Sequence, residues 1–153
     1  MNENLKIKEA LYTFCMNYVN NRLKIIQTTI KDIQVSLTSE TKSSAGDKHE
    51  TGRAMLQLER EKAGNQLSEI QKVKETLSKI NIDKTGSKVG LGTVVYTSKL
   101  NYFVAISAGE IVVNNKQFYA ISAFTPIGKL LMSKMSGDTV QFRNSTFTIT
   151  KTV

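Results

Sequence analysis

Apolar residues recur along the first half of this chain at spacings that suit a helix with one buried stripe. Val19, Leu23, Ile26, Ile30, Ile33 and Leu37 follow one another at intervals of 4, 3, 4, 3 and 4, which keeps a single seam facing a partner helix. Leu56, Ala63, Leu67, Ile70, Val73, Leu77 and Ile80 repeat the pattern more loosely. No proline precedes Pro126, and glycine in this stretch occurs only at Gly46, Gly52 and Gly64. Nothing forces either helix to stop except the Ser43-Ser44-Ala45-Gly46 turn, so the simplest arrangement is an antiparallel helical hairpin, a coiled coil folded at that turn. An arm from about Leu5 to Thr41, rising about 1.5 Å per residue, reaches roughly 50 Å. That exceeds the diameter of most small domains, so the hairpin is expected to protrude from whatever body the rest of the chain forms.

The pattern changes at Asp83-Lys84-Thr85-Gly86-Ser87-Lys88-Val89-Gly90, a polar stretch punctuated by glycine. The expected division is residues 1–83 as the hairpin, with its acidic tip near 43–51, and residues 84–153 as a small second domain. From Leu91 onward the period becomes two. Leu91 to Thr97, Tyr102 to Ser107, Glu110 to Val113, Gln117 to Ser122, Thr139 to Phe142 and Thr146 to Thr150 are short runs rich in Val, Ile, Tyr, Phe and Thr, separated by Ala-Gly, Asn-Asn, Gly-Asp and Asn-Ser turn signals. Thr125-Pro126-Ile127-Gly128-Lys129-Leu130-Leu131-Met132 places a threonine before a proline suited to a first helical position, so one short helix is expected to pack on the sheet. The fold class expected is α+β, a helical hairpin followed by an antiparallel sheet with one helix.

Composition narrows the function classes. The 153 residues carry 40% hydrophobic and 22% charged side chains, ordinary for a soluble chain. There is no apolar run long enough to cross a bilayer, and the charged start Met-Asn-Glu-Asn-Leu-Lys-Ile-Lys-Glu has no signal-peptide pattern. A cytoplasmic protein without a membrane partner is the expectation. The single cysteine, Cys15, cannot form an internal disulfide and reads as a small core residue. The lone histidine, His49, leaves no histidine-based metal cluster or conventional catalytic triad.

The formal charge is +8, and it is unevenly spread. After residue 86 lie Lys88, Lys99, Lys116, Lys129, Lys134, Arg143 and Lys151 against only Glu110 and Asp138. These cations are scattered without the clustering of a dedicated nucleic-acid reader, which leaves two readings: a general attraction to polyanions or to an acidic protein surface, and a basic surface that serves solubility alone. Tyr96, Tyr102, Phe103, Phe118, Tyr119, Phe124, Phe142 and Phe147 read mostly as sheet core or sheet-face residues rather than a stacking platform.

Asp47 and Glu50 stand three residues apart at the start of the second arm. Carboxylates at i and i+3 lie on one side of a helix, within reach of one divalent cation. The same spacing is a capping box, in which Asp47 accepts a backbone N–H of the first turn and Glu50 reaches back, worth about 1 kcal/mol. Both readings stand, and a capped acid keeps free lone pairs.

A hairpin with Gly46-Asp47-x-x-Glu50 at its tip, then Thr125-Pro126-Ile127-Gly128-Lys129-Leu130-Leu131 and Ser136-Gly137-Asp138-Thr139-Val140 in a small sheet domain, resembles the bacterial Gre-type transcript cleavage factors of RNA polymerase. In that family the tip reads Gly-Asp-Leu-Ser-Glu-Asn-Ala-Glu-Tyr, and an FKBP-like second domain carries Ser-Pro-Leu/Ile-Gly-x-Ala-Leu followed by Gly-Asp. The resemblance runs over nearly the whole chain in order and spacing. It implies that the second domain docks at the rim of the polymerase secondary channel, with Thr125, Pro126, Ile127, Gly128 and Lys129 as the docking loop. It further implies that Asp47 and Glu50 help to hold a Mg²⁺ of the polymerase active site and promote cleavage of backtracked RNA. The chain would then be an accessory factor rather than an enzyme, with no stably bound cofactor and no small-molecule substrate, meeting nascent RNA and DNA inside the elongation complex.

The tip departs from the family where Asn-Ala-Glu-Tyr is replaced by Thr51-Gly52-Arg53-Ala54. A base stands where an acid is expected, and Arg53 can pair with Glu50 or touch RNA phosphate. Two further readings accompany the cleavage factor: a non-catalytic regulator of the polymerase channel, and a coiled-coil interaction module unrelated to transcription.

Overall fold

The computed structural model describes residues 2–42, 46–84 and 86–153, with the side chains of 40–42 and 46–49 left outside the description. Two long helices come first, α1 (Glu3–Lys42) and α2 (Gly46–Ser78). Asn2 caps α1, its side-chain oxygen accepting the Asn4 N–H at 2.9 Å, and Glu3 adds a carboxylate to the first turn. At its C-terminus α2 tightens, with Lys79 N–H on Thr76 O and Ile80 N–H on Leu77 O. An Asn81 turn then accepts the Asp83 N–H and ends the helical part.

The seam read from the sequence is the inward face of both helices. Val19 and Ile33 on α1 and Ala63, Ile70 and Leu77 on α2 are buried, and every other seam residue is at least partly covered. Between Leu56 and Ala63 the apolar stripe of α2 skips one turn. Arg60 fills that position, half-buried, with its Nη1 lying 2.9 Å from where a Cβ on Gly64 would be.

The backbone packs as two compact units, one of residues 1–18 and 75–153 and one of residues 19–74. The first unit joins the ends of both helices to a six-stranded sheet: β1 (Val94–Thr97), β2 (Tyr102–Ala105), β3 (Gly109–Val113), β4 (Lys116–Ser122), β5 (Thr139–Phe142) and β6 (Ser145–Thr152). A short helix, α3 (Pro126–Leu131), lies between β4 and β5. β1 starts at Val94 rather than Leu91 because Gly90 to Thr93 closes a turn, the Thr93 N–H on Gly90 O and the Gly90 N–H on Thr93 Oγ1.

Strand order is β3-β4-β2-β1-β6-β5. Every pairing is antiparallel except β2 with β4, which run parallel from Tyr102↔Tyr119 to Ala105↔Ser122. The expectation of a purely antiparallel sheet is corrected at this one pair. Tyr102 to Ala105 is buried at every position, and strands buried on both faces are where parallel pairing is found. The β3–β4 hairpin turns on Asn114 and Asn115, with φ of +51° and +64°, the two left-handed residues that a type I′ turn demands.

One face of the sheet holds Val95, Tyr102, Val104, Val140, Phe147 and Ile149 against Ile127 and Leu131 of α3. By strand alternation Val94, Phe103 and Phe118 point to the other face, equally buried. The same unit contains the fully buried Leu11, Cys15 and Leu77 of the helix ends. Lys151 Nζ donates to Asn4 Oδ1 at 3.0 Å and Asn114 Nδ2 to Glu3 Oε1 at 3.1 Å, which ties the first turn of α1 to the sheet.

Candidate functional site

α2 begins at Gly46, so Asp47 and Glu50 both fall within its first turns, three residues apart on a helix that follows α1 after a short connection. A cap formed by Asp47 would need the helix to start two residues later, at Lys48. Acids in this position also favour the helix by meeting its positive N-terminal end. Glu50 is exposed. The side chains of Asp47, Lys48 and His49 and the Ser43-Ser44-Ala45 turn lie outside the described residues.

Arg53, the base that departs from the family pattern, is half-buried and donates from Nη1 to the Leu37 carbonyl at 3.3 Å. It therefore reaches across to α1. Among the described residues no three His, Cys, Asp or Glu side chains gather into a metal cluster. Two carboxylates supply fewer oxygens than a Mg²⁺ shell needs, so a cation here would have to be held mostly by another molecule.

The second set of sequence-derived residues is drawn together by α3. Thr125 is the N-cap, with φ −73° and ψ 160°; its Oγ1 accepts the Gly128 N–H at 3.1 Å and donates to the Ser122 carbonyl at 2.7 Å. Pro126 occupies the first helical turn, where its missing N–H costs nothing. Gly128 is required by space: a Cβ there would lie 2.1 Å from Ser122 O and 2.9 Å from Ala123 Cα. Ile127 and Gly128 are buried, while Pro126 and Lys129 face solvent. Of the five candidate docking residues, Thr125, Ile127 and Gly128 thus shape the loop, and Pro126 and Lys129 are available to a partner.

The Ser136-Gly137-Asp138 signature is a turn of the same unit. Gly137 has φ +95°, and Asp138 Oδ2 accepts the Met135 N–H at 2.7 Å. The tip acids belong to the unit of residues 19–74 and the docking loop to the sheet unit.

Among the aromatics that read mostly as sheet core or sheet face, Phe124 is the exception, at 83% exposed. It precedes the cap of α3 and belongs to no strand. Its position directly before a Thr-Pro helix start is the signal that separates it from the strand aromatics. Sequence reasoning also missed Lys8, whose side chain is only 2% exposed. Its ammonium donates to the Lys84 carbonyl at 3.2 Å, beside a cavity of about 100 Å³ lined by Asn2, Asn4, Leu5, Ile82, Asp83 and Val153. Burial lowers the Lys8 pKa, and Asp83 offsets part of that shift.

No helix among the described residues is long and apolar enough to cross a membrane. No protein-family model and no curated protein matches the sequence. Among solved structures the chain is similar to the GreA factor homolog 1 (Gfh1) protein of Thermus thermophilus, with 19% identity over 93% of this chain and 94% of that one and a TM-score of 0.34. A second structure, of the transcription factor Gfh1, is similar with 21% identity, coverage of 92% and 91%, and a TM-score of 0.34.

Proposed function

We propose that this chain is a transcription elongation factor that binds RNA polymerase at its secondary channel and stimulates cleavage of backtracked nascent RNA. The observation that carries the reading is the position of Asp47 and Glu50, three residues apart at the start of the second of two long helices. The motif resemblance supplies the partner, and the cationic sheet unit suits an acidic docking surface. In this reading the factor is an accessory protein of the cytoplasm. It meets RNA and DNA only inside the elongation complex, and its Mg²⁺ belongs to the polymerase.

The fit of the tip to such a metal is partial. Asp47 and Glu50 would supply oxygens to a cation that the polymerase mainly holds, and bound Mg²⁺ would activate water and stabilise the leaving oxygen. The chain's own part is to carry two acids on a helix and to keep that helix from fraying. Arg53 on Leu37 O serves the second task. The substitution of a base for an acid at Arg53 favours a second reading, a non-catalytic regulator that occupies the channel without promoting cleavage.

One experiment separates the two. The full chain is mixed with core polymerase in a backtracked complex, and RNA cleavage is followed over a range of Mg²⁺ for the wild type, Asp47→Asn, Glu50→Gln and the double variant. The cleavage reading expects binding to persist while stimulated cleavage falls at least tenfold, with partial recovery in the single variants as Mg²⁺ rises, because weaker coordination is offset by mass action. A structural Asp47 would lose only its charge interaction with the helix N-terminus, about 1 kcal/mol or less, and stimulated cleavage would not change. Wild-type binding with no more cleavage than the double variant shows would install the channel regulator instead.

A further inference from the structure

We propose that the outward face of α3 is a protein-docking surface anchored by Phe124, and that its occupant presents an apolar socket rimmed by carboxylates. The proposal rests on the polymerase reading above and adds to it an anchor residue and the chemistry of the surface that receives it.

Among the described residues Phe124 is the most exposed of the large hydrophobic side chains, at 83%, yet its backbone is held. Its N–H donates to Ser122 Oγ at 3.2 Å, and the next residue is pinned twice to the Ser122 carbonyl, through its N–H and its hydroxyl. An apolar residue before an N-cap ordinarily packs on the fourth helical residue. Here that residue is Lys129, so the ring lacks the apolar neighbour that would cover it. A ring on a fixed backbone with two rotatable bonds loses little entropy on being buried by a partner.

Further exposed apolar residues lie on α3 and just after it. Ile127 and Leu131 turn inward, which leaves Pro126, Lys129 and Leu130 on the opposite face of α3. Leu130 is 38% and Met135 42% exposed. No acid occurs between Glu110 and Asp138, and Asp138 is engaged by the Met135 N–H. Lys129 and Lys134 are therefore offset only at the edge of the patch, and Lys88, which bridges to Met135, adds a third cation. This pattern of one aromatic among aliphatic side chains with basic neighbours matches the anchor-and-rim anatomy of protein interfaces. A second copy of the chain would bring like charges together, and a nucleic acid would leave Pro126, Leu130 and Met135 without a use.

The test titrates the full-length chain against purified core RNA polymerase for the wild type, Phe124→Ala, Phe124→Leu and Lys129→Glu, with thermal melting of each. The expected result is binding weakened about thirtyfold or more by Phe124→Ala, far less by Phe124→Leu, and about tenfold by Lys129→Glu, with melting unchanged throughout. Wild-type affinity in Phe124→Ala would overturn the anchor while leaving the polymerase reading intact. A wild-type chain that does not bind polymerase would overturn that reading and this occupant together. An equal loss of affinity for a single-stranded RNA oligonucleotide would overturn the proposal in favour of base stacking, and a wild-type dimer dissolved by Phe124→Ala in sedimentation would overturn it in favour of self-association.

Discussion

Gly128→Ala and Gly64→Ala add the same methyl group to two helices, and the structure expects opposite signs. At Gly128 the new carbon meets backbone: Ser122 O at 2.1 Å, Ala123 Cα at 2.9 Å and Ala123 C at 3.0 Å. None of these atoms can swing aside, and 2.1 Å is more than about 1 Å short of van der Waals contact. α3 must lift. Lifting it draws Ile127 and Leu131 from the sheet face and stretches the Thr125 cap on Gly128 N–H. Overpacking costs about 1–3 kcal/mol and the weakened cap about 1 kcal/mol, against a helix-propensity gain of at most about 1 kcal/mol. The net expectation is a loss of roughly 1–3 kcal/mol.

At Gly64 the nearest atom is Arg60 Nη1 at 2.9 Å, the far end of a flexible side chain that moves at little cost. The helix interior then gains about 0.5–1 kcal/mol. Urea unfolding reads both, with tyrosine fluorescence for the sheet unit and the far-UV helical signal for the hairpin. With a slope of about 2 kcal/mol per molar, Gly128→Ala should lower its midpoint by about 0.5–1.5 M and Gly64→Ala should raise its own by about 0.3–0.5 M. A Gly128→Ala protein as stable as the wild type would refute the close approach of α3 to the end of β4.

Ile33, buried on the inward face of α1, should cost about 2–5 kcal/mol when cut to alanine, measured by the same unfolding curve; no loss would refute a packed seam. Lys8 has a folded pKa below its ordinary 10.5 because burial disfavours the ammonium, partly offset by Asp83. Between that folded value and 10.5 the unfolded chain holds more protons, so stability rises with pH through this window. The stability of the wild type relative to Lys8→Met should therefore improve as pH climbs toward 10.5, while the alkaline loss from Tyr96 and Tyr102, both raised by burial, cancels between the two proteins. Cys15 is fully buried and its thiol is pushed up to about 12, so it should react with a thiol reagent at neutral pH only as fast as the chain opens; rapid labelling of the native protein would show an exposed sulfur.

The hairpin was legible because its information is local: a 4-3 spacing can bury only one stripe, and the residues of that stripe are the covered ones. The same holds for the Asn114-Asn115 turn and the Thr125-Pro126 helix start, where the residue types match the backbone angles they adopt. What escaped depends on partners far apart in the chain. The parallel β2–β4 pair follows from β3 folding back on β4, which places β4 rather than β3 beside β2, and alternation within one strand carries no information about direction. Lys8 lies in a helix with an ordinary lysine's surroundings in sequence, and its neighbours Lys84, in the loop after α2, and Val153, just past β6, come from far along the chain. Phe124 has the composition of a strand residue, and only the Thr-Pro start immediately after it removes it from the sheet.

Arg53 unites the two kinds of information. Read locally it is a charge reversal at a conspicuous position, three residues after Glu50, where an ion pair along the helix is the nearest option. In three dimensions it also continues the inward stripe of α2, three residues before Leu56 and seven before Arg60, so its guanidinium lies toward α1 and finds the Leu37 carbonyl. Gly52 weakens the same turn by roughly 1 kcal/mol, and a hydrogen bond from a charged donor is worth about that much or more. The turn that carries Glu50 is thereby braced against α1 while Glu50 itself stays exposed. On the proposed reading, a helix pair that presents acids to another molecule has to satisfy both conditions, and Arg53 meets the first without covering Glu50.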